Sequence, residues 1–470
     1  MAEFQLGNIP GLKPMDQTSL YDQLNLLYRV KSLSLKARIE QYYPSFGDNK
    51  SYTSLSQYKI EYKTKNLNLS VGHLYTILGR GLLLRTYEIP GSIWETRGYR
   101  VRYGFYRDLK GIELKYRLKK FELKAIRGRV LDVTLPPTIE KDMERRPDLV
   151  EGGELRYNFK NQKAGFTYMR QTNASKSTGY ASVYFDGNLF KNVSFYSEFA
   201  RRLDSTSLFL LPGNAGFGAY ASFTYAHNRI GVSLEFKDYQ NMSIGAGISD
   251  PPTLVKEQSY RLLNRSTHVP ELTNESGYQL EIYYRFANNS MLTLNHALAK
   301  NKISPEKSSV FTEYFAEYRF SAGEKFSGQA FADYSRAPFI NENNRYAGGF
   351  LLELDHNSGM NSSLETELQY VERIINKTVS FLNAYLAYTF SMTSKYSASL
   401  VYEYTGDPVQ VENNKNYNYY PAVSLSYRPD SHNQIALFFG KRRGGLACTS
   451  GVCYDVLDFE GLEIRLLTRF

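Results

Sequence analysis

The chain has 470 residues, a net charge of +10 and a 15% share of aromatics, made up of 40 Tyr, 28 Phe and one Trp. With a mean hydropathy of −0.44, that many rings exclude both a disordered chain and a helical membrane protein. A spanning helix needs about 20 consecutive apolar residues, and the oiliest runs, 207–213 and 80–87, are far shorter. The Lys and Arg residues are spread evenly and alternate with aromatics, which speaks against nucleic acid as a partner.

At about 150 residues per domain the length allows several domains, but no linker or low-complexity run divides the chain, so 1–470 reads as one unit. It begins MAEFQLGN, which reads as a mature protein carrying an added methionine; no stretch resembles a secretory leader. The first predicted strand is EFQLGNI, 3–9. Short connections follow at 31–32 and 63–66, with a longer one at 43–50 between them.

The segment 72–111 breaks this pattern, being too long for a turn and only partly alternating. It is expected to fold into a lumen, or over its mouth, as a plug-like constriction. Arg80, Arg85, Arg97, Arg100, Arg102 and Arg107 lie in it with Glu88, among Tyr87, Trp94, Tyr99, Tyr103, Phe105 and Tyr106. Guanidinium groups pair with carboxylate or phosphate and stack on rings, so one reading is an anion-attracting lining. The other is that they pair with lumenal acids such as Glu88, Asp108, Glu313 or Glu317 and hold the plug in place.

Beyond it the chain alternates in twos. In FTEYFAEYRF (311–320), Tyr314, Ala316, Tyr318 and Phe320 share one face, and Glu313, Glu317 and Arg319 the other. In YSASLVYEY (396–404), Tyr396, Ala398, Leu400, Tyr402 and Tyr404 oppose Ser397, Ser399 and Glu403. Segments 326–334 and 380–390 behave alike. This is the two-residue period of strands, built from strand-favouring residue types. Short turns (161–162, 189–192, 227–228, 287–289, 321–324, 356–359, 429–432) alternate with long loops (131–152, 239–276, 336–344, 406–416, 441–456). The loop at 241–270 reads as an ordered external loop that contacts a partner or covers the mouth.

Cys448 and Cys453 lie in RRGGLACTSGVCYDV with no histidine nearby. They offer half a metal site at most, since structural zinc takes four ligands. A small disulfide stapling an exposed loop in an oxidising compartment is expected; two reduced thiols are the alternative. The chain ends EGLEIRLLTRF, with Leu462, Ile464, Leu466 and Phe470 on one face and Glu463, Arg465 and Arg469 on the other.

In lipid every backbone N–H and C=O must be paired internally, so sparse hydrophobicity with strict alternation crosses a membrane only as a closed sheet. Turns sorted by length are the habit of outer-membrane barrels. The expectation is therefore all-β: a single transmembrane antiparallel barrel of about 24 strands, both termini periplasmic, short turns periplasmic and long loops extracellular. A ring of that size leaves a wide hole unless something fills it.

Three stretches carry a family resemblance. The start FQLGNI (4–9), the run Gly79, Gly81, Leu82, Leu84, Arg85, Tyr87 and Glu88, and the run Arg443, Gly444, Gly445, Leu446, Cys448, Gly451, Val452 and Cys453 resemble an uncharacterised Gram-negative outer-membrane β-barrel family with GxGLxLRxYE and RGGLxCxxGVC motifs. The insertion YRVRYGFYRDLKG departs from that family's pattern. The resemblance implies an outer-membrane barrel and no activity. It also implies that Phe470 is the terminal aromatic read by the barrel-assembly machinery.

No nucleophile elbow, zinc-protease motif or phosphate-binding glycine loop is present. The six histidines (73, 227, 268, 296, 356 and 432) are scattered. The leading expectation is a porin-like channel or transport protein with an occluded lumen, in the bacterial outer membrane, with no cofactor, metal or catalytic residue. Expected partners are the bilayer, lipopolysaccharide and the assembly machinery. The alternatives are a structural or assembly component docking other envelope proteins, and, third, a barrel hydrolase.

Overall fold

The computed structural model describes residues 1–46, 50–96, 98–132, 136–137, 144–173, 176–203, 216–242, 244, 256–269, 274–304, 307–356, 358–374, 377–413, 418–449 and 452–470. Twenty-four strands close into one antiparallel ring. Each wall strand pairs with the next, and the ring shuts where Ala2–Asn8 pairs with Phe459–Thr468. The register there runs from Ala2 opposite Leu466 to Asn8 opposite Glu460. Helix among the described residues is confined to Arg261–Asn264, Pro408–Asn413 and a 3-10 turn at Pro338–Ile340. The strand count and the all-β class match what the alternation predicts.

The alternation sorts side chains across the wall. Along Tyr396–Thr405, Leu400 is 60% exposed on the outside while Glu403 is 2% exposed on the inside. Along Ser308–Ala322, Tyr314 and Tyr318 face out, and Glu313 and Glu317 are buried within. Exposed Leu, Tyr, Phe and Ile cover the outside of nearly every strand, and the buried residues include many carboxylates. This is inverted relative to a water-soluble fold, and it is what a lipid-facing ring with a polar lumen requires.

The inner wall satisfies its charges in pairs. Lys237 meets Glu275 with neither side chain exposed. Arg345 reaches Glu313 at 3.1 Å and Asp333 at 3.2 Å. A buried ion that loses its partner is strongly destabilising, so these pairs fix neighbouring strands in register.

The two ends of the ring differ. The tight turns after Val30, Leu118, Phe159 and His227 lie at one end, where Arg469 near the C-terminus donates to the His432 carbonyl; Met1 lies further in, paired with Gln23 and packed on the Tyr21, Tyr42 and Tyr52 cluster. The long connections lie at the other. Two wall pairings enclose an inserted hairpin: Asn433–Arg442 pairs directly with Phe459–Thr468, and Leu67–Leu74 with Leu109–Leu118, Leu74 lying opposite Leu109. Residues 75–108 therefore leave the wall and return to it, whereas Gly72–Leu74 and Leu109–Gly111 are wall strand.

An arginine on the lipid face near mid-strand costs about 2–4 kcal/mol in a membrane barrel. Leu400→Arg is thus expected to lower folding stability in liposomes by that amount in a urea titration, and Ser399→Arg, on the lumenal face, by clearly less. Equal losses would mean the outside of the ring does not meet lipid.

Candidate functional site

Residues 75–108 form two small hairpins inside the ring, Ile77–Leu78 with Leu84–Arg85 and Tyr87–Glu95 with Arg102–Arg107. The tip of the first turns on Gly79 (φ +56°) and Gly81 (φ +99°). A side chain on Gly79 would strike the Glu198 carboxylate, so the tight left-handed turn and the close approach both call for glycine. Glu198 Oε2 accepts from the Arg80 backbone N–H at 3.0 Å, and the Arg80 guanidinium lies 3.9 Å from the Tyr196 ring centre. Leu82, Leu83 and Leu84 are buried against Ile126, Val130, Val150 and Met169 of the inner wall.

The second hairpin docks on the first wall strands. Tyr42 Oη donates to the Arg100 carbonyl (2.9 Å) and Tyr52 Oη to the Arg102 carbonyl (2.7 Å). The Gly104 N–H donates to Glu40 (2.9 Å). Both ends of the segment are clipped where they meet the wall: His73 Nδ1 lies 2.6 Å from Asp108 Oδ2, and Arg145 pairs with the other oxygen of Asp108.

Two further segments join it. Tyr260 stacks on Phe331 (3.8 Å between ring centres) and donates to Glu317 (2.6 Å). Glu367 accepts from the backbone N–H groups of Arg261 (2.6 Å) and Leu262 (2.8 Å), opening the short helix Arg261–Asn264. Cys448 and Cys453 form a disulfide across the hairpin Gly445–Thr449/Val452–Val456. Asn264 exchanges two hydrogen bonds with the Cys448 backbone, at 2.8 and 2.9 Å. Tyr454 meets Phe105 of the second inner hairpin at 4.8 Å. The cysteine loop, expected to be exposed, is thus half-buried at its disulfide. The described part of the 239–276 loop is packed against the inner wall.

A cavity of about 350 Å³ lies where the three segments meet. Arg102, Arg261, Arg265, Arg442, Arg443 and Arg465 line it, with Glu3, Glu95, Asp455, Asp458 and Glu463. The six guanidinium groups share three carboxylates as direct partners: Glu3 takes Arg102 and Arg465, Glu463 takes Arg442 and Arg465, and Glu403 takes Arg261, Arg265 and Arg443. Glu95 is held by Arg100, and Asp458 accepts from the Gly444 N–H. Arg102 is 4% exposed, and its Nη1 has no hydrogen-bond partner among the described residues. Burial, with Arg442 and Arg465 beside it, outweighs the pull of Glu463 and draws the Arg102 guanidinium below its ordinary value.

Of the described arginines of the inner segment, the structure brings only Arg102 to this cavity, where Arg443 of the cysteine-loop motif and Arg465 of the last strand join it. Arg80 sits on the inner wall, Arg85 lies 5.7 Å from the Tyr87 ring, and Arg107 lies over Trp94 (5.1 Å) and Phe105 (5.0 Å). Arg97 lies outside the described residues. The acids named as their partners are held by others: Glu88 by Arg38, Glu313 by Arg345, and Glu317 by Arg319 and Tyr260. Phe470 is 98% exposed at the chain end. Arg261, Arg265 and Arg442 escaped sequence reading; the pair Arg442-Arg443 before two glycines was the one available sign. No group of three or more His, Cys, Asp or Glu able to hold a metal occurs among the described residues.

A family model described as a family of unknown function, DUF6029, matches residues 11–470. No curated protein matches the chain by sequence. Among solved structures, the translocation pore of the P pilus usher PapC is similar with a TM-score of 0.49 at 9% identity, covering 100% of this chain and 98% of that one. OpdQ of Pseudomonas aeruginosa is similar with a TM-score of 0.43 at 10% identity, covering 75% and 94%. Wzi of Escherichia coli, a carbohydrate-binding outer-membrane barrel involved in capsule assembly, is similar with a TM-score of 0.36 at 13% identity, covering 72% and 79%.

Removing one partner from a buried ion pair costs about 3–5 kcal/mol. Asp108→Ala is therefore expected to release residues 75–108 locally. Hydrogen exchange should show protection lost across 77–107 and kept in the neighbouring wall strands. Unchanged protection would show that the clip does not hold the segment.

Proposed function

The chain belongs to the DUF6029 family of unknown function, and we propose that it is an outer-membrane channel closed by its own chain, favouring small anions. The observation that carries this reading is the convergence of three inserted segments on one arginine-lined cavity within the ring. The first two insertions pack on different arcs of the inner wall and the third packs on both of them, so together they fill part of the lumen. Their contacts combine hydrogen bonds, ring stacking and ion pairs with one apolar cluster around Leu82–Leu84, and none of them is part of the hydrogen-bonded ladder of the wall.

Unused donors support the choice of anion. Two lining guanidinium nitrogens, Arg102 Nη1 and Arg442 Nε, are buried without a hydrogen-bond partner among the described residues and leave unmet donor capacity. A carboxylate or phosphate would satisfy it bidentately. A cavity of about 350 Å³ admits a small solute.

The clip of His73, Asp108 and Arg145 favours the second reading, a structural or assembly component, because a bolted plug need not open. Planar-bilayer recording separates the two. Leu74 and Leu109 are cross-strand partners, so an Asn-Gly turn can replace residues 75–108 and leave an ordinary hairpin. The replacement is expected to conduct in steps far larger than the full chain. If its conductance equals that of the full chain, residues 75–108 do not occlude the passage. Under a KCl gradient the reversal potential of the replaced protein should lie on the chloride side, and Arg261→Gln with Arg442→Gln should move it toward potassium. A cation-selective pore insensitive to these changes would refute the anion preference.

A further inference from the structure

The tight turns at the short-turn end of the ring share a feature that the lumen does not explain. Lys31, Lys65, Lys119, Lys160, Lys191 and Arg229 occupy the successive turns of the first half of the ring, one in each. Lys325, Lys395 and Arg428 continue the series, and Lys120 adds a second base to its turn. All are exposed. Two of the eleven turns, 286–290 and 357–359, carry no base, and the first of these follows Arg285. The acids in these turns are Glu324 and Asp430. Ten bases against two acids leave a surplus of eight, in a chain whose whole net charge is +10. The chain's basicity is therefore gathered on one rim.

Backbone geometry makes the lysines conspicuous. Lys31, Lys119 and Lys160 all sit at positive φ, near +52°. That is the left-handed position of a tight hairpin turn, where Gly, Asn or Asp fit and an ordinary side chain is disfavoured. Asn228 fills the same place in its turn. Three times, then, the sequence sets a base where turn chemistry favours a smaller residue.

We infer that this rim binds the anionic headgroups of glycerophospholipids in the leaflet on the short-turn side. The shape of the charge selects the partner. A docked acidic protein would cover an arc or the mouth, whereas these bases run nearly all the way around. Directly inside the band, Tyr28, Tyr62, Tyr157, Tyr284, Tyr396 and Tyr427 project outward, each exposed. Such an aromatic girdle marks the level of the membrane interface, so the bases lie at headgroup depth. Lys and Arg there attract anionic lipid, and the attraction is screened by salt.

The test uses the full chain in vesicles of equal phosphatidylglycerol and phosphatidylcholine, with spin-labelled versions of each lipid. Protein-contacting phosphatidylglycerol is expected to exceed phosphatidylcholine by about threefold at low salt, and the preference should fade by 1 M NaCl. Lys31→Asn with Lys119→Asn and Lys160→Asn removes three charges while easing the turns. It should cut the preference by about a third or more, with no loss of melting temperature in neutral detergent. Equal contact by the two lipids in the wild type, or an undiminished preference in the triple variant, would overturn the assignment.

Discussion

Everything in this protein follows from the need to pair each backbone N–H and C=O within a hydrocarbon solvent. An unpaired group there costs several kcal/mol, and a sheet of 24 strands escapes the cost only by having no edge. Pairing of Ala2–Asn8 with Phe459–Thr468 removes that edge. Once the ring is closed, the two-residue period does the rest. Outward positions meet lipid and become Leu, Tyr and Phe, while inward positions meet water or chain and become Glu, Arg, Gln and Ser. The low mean hydropathy is a consequence, since half of each strand is obliged to be polar.

A ring this wide creates a second problem, an interior far larger than side chains can fill. The chain answers with backbone. Three insertions from distant parts of the sequence bring their own apolar residues, such as Leu82–Leu84 and Tyr260, into a polar lumen. They also supply the charges that meet the carboxylates of the wall. The arginine-lined cavity lies at their junction. Glu403 shows the economy of this arrangement: one buried carboxylate of the wall holds Arg265 and Arg443, from two different insertions, and lies near a third cation, Arg261.

The wall was legible in the sequence because lipid on one side and a polar interior on the other impose a strict period of two, as in 396–404 and 311–320. The segment 72–111 was legible as an interruption of that period, though its outer residues proved to be wall. What the sequence hid is long-range. Arg261 meets Glu367 and Glu403 across more than a hundred residues, and Asn264 meets Cys448 across 184. No local period records such contacts. For the same reason the lumenal acids named as partners of the inner arginines prove to be held by others: Glu88, Asp108 and Glu313 by wall arginines, and Glu317 by Arg319 and Tyr260. The basic rim was hidden differently. Evenly spread charge looks uniform along the chain, and although the alternation of short and long connections already puts the short turns on one side, the bases within them show only when those turns are compared one by one.

The closure of the ring by its first and last strands is the claim on which the others stand. Phe4 and Ile464 are cross-strand partners facing outward, and the native cysteines are already joined to each other. A Phe4→Cys/Ile464→Cys variant, folded in vesicles, oxidised and then denatured, is predicted to yield a circularised monomer with altered gel mobility that reverts on reduction. Failure to crosslink, or crosslinking only between molecules, would mean that these strands do not pair and that the sheet is not a closed ring.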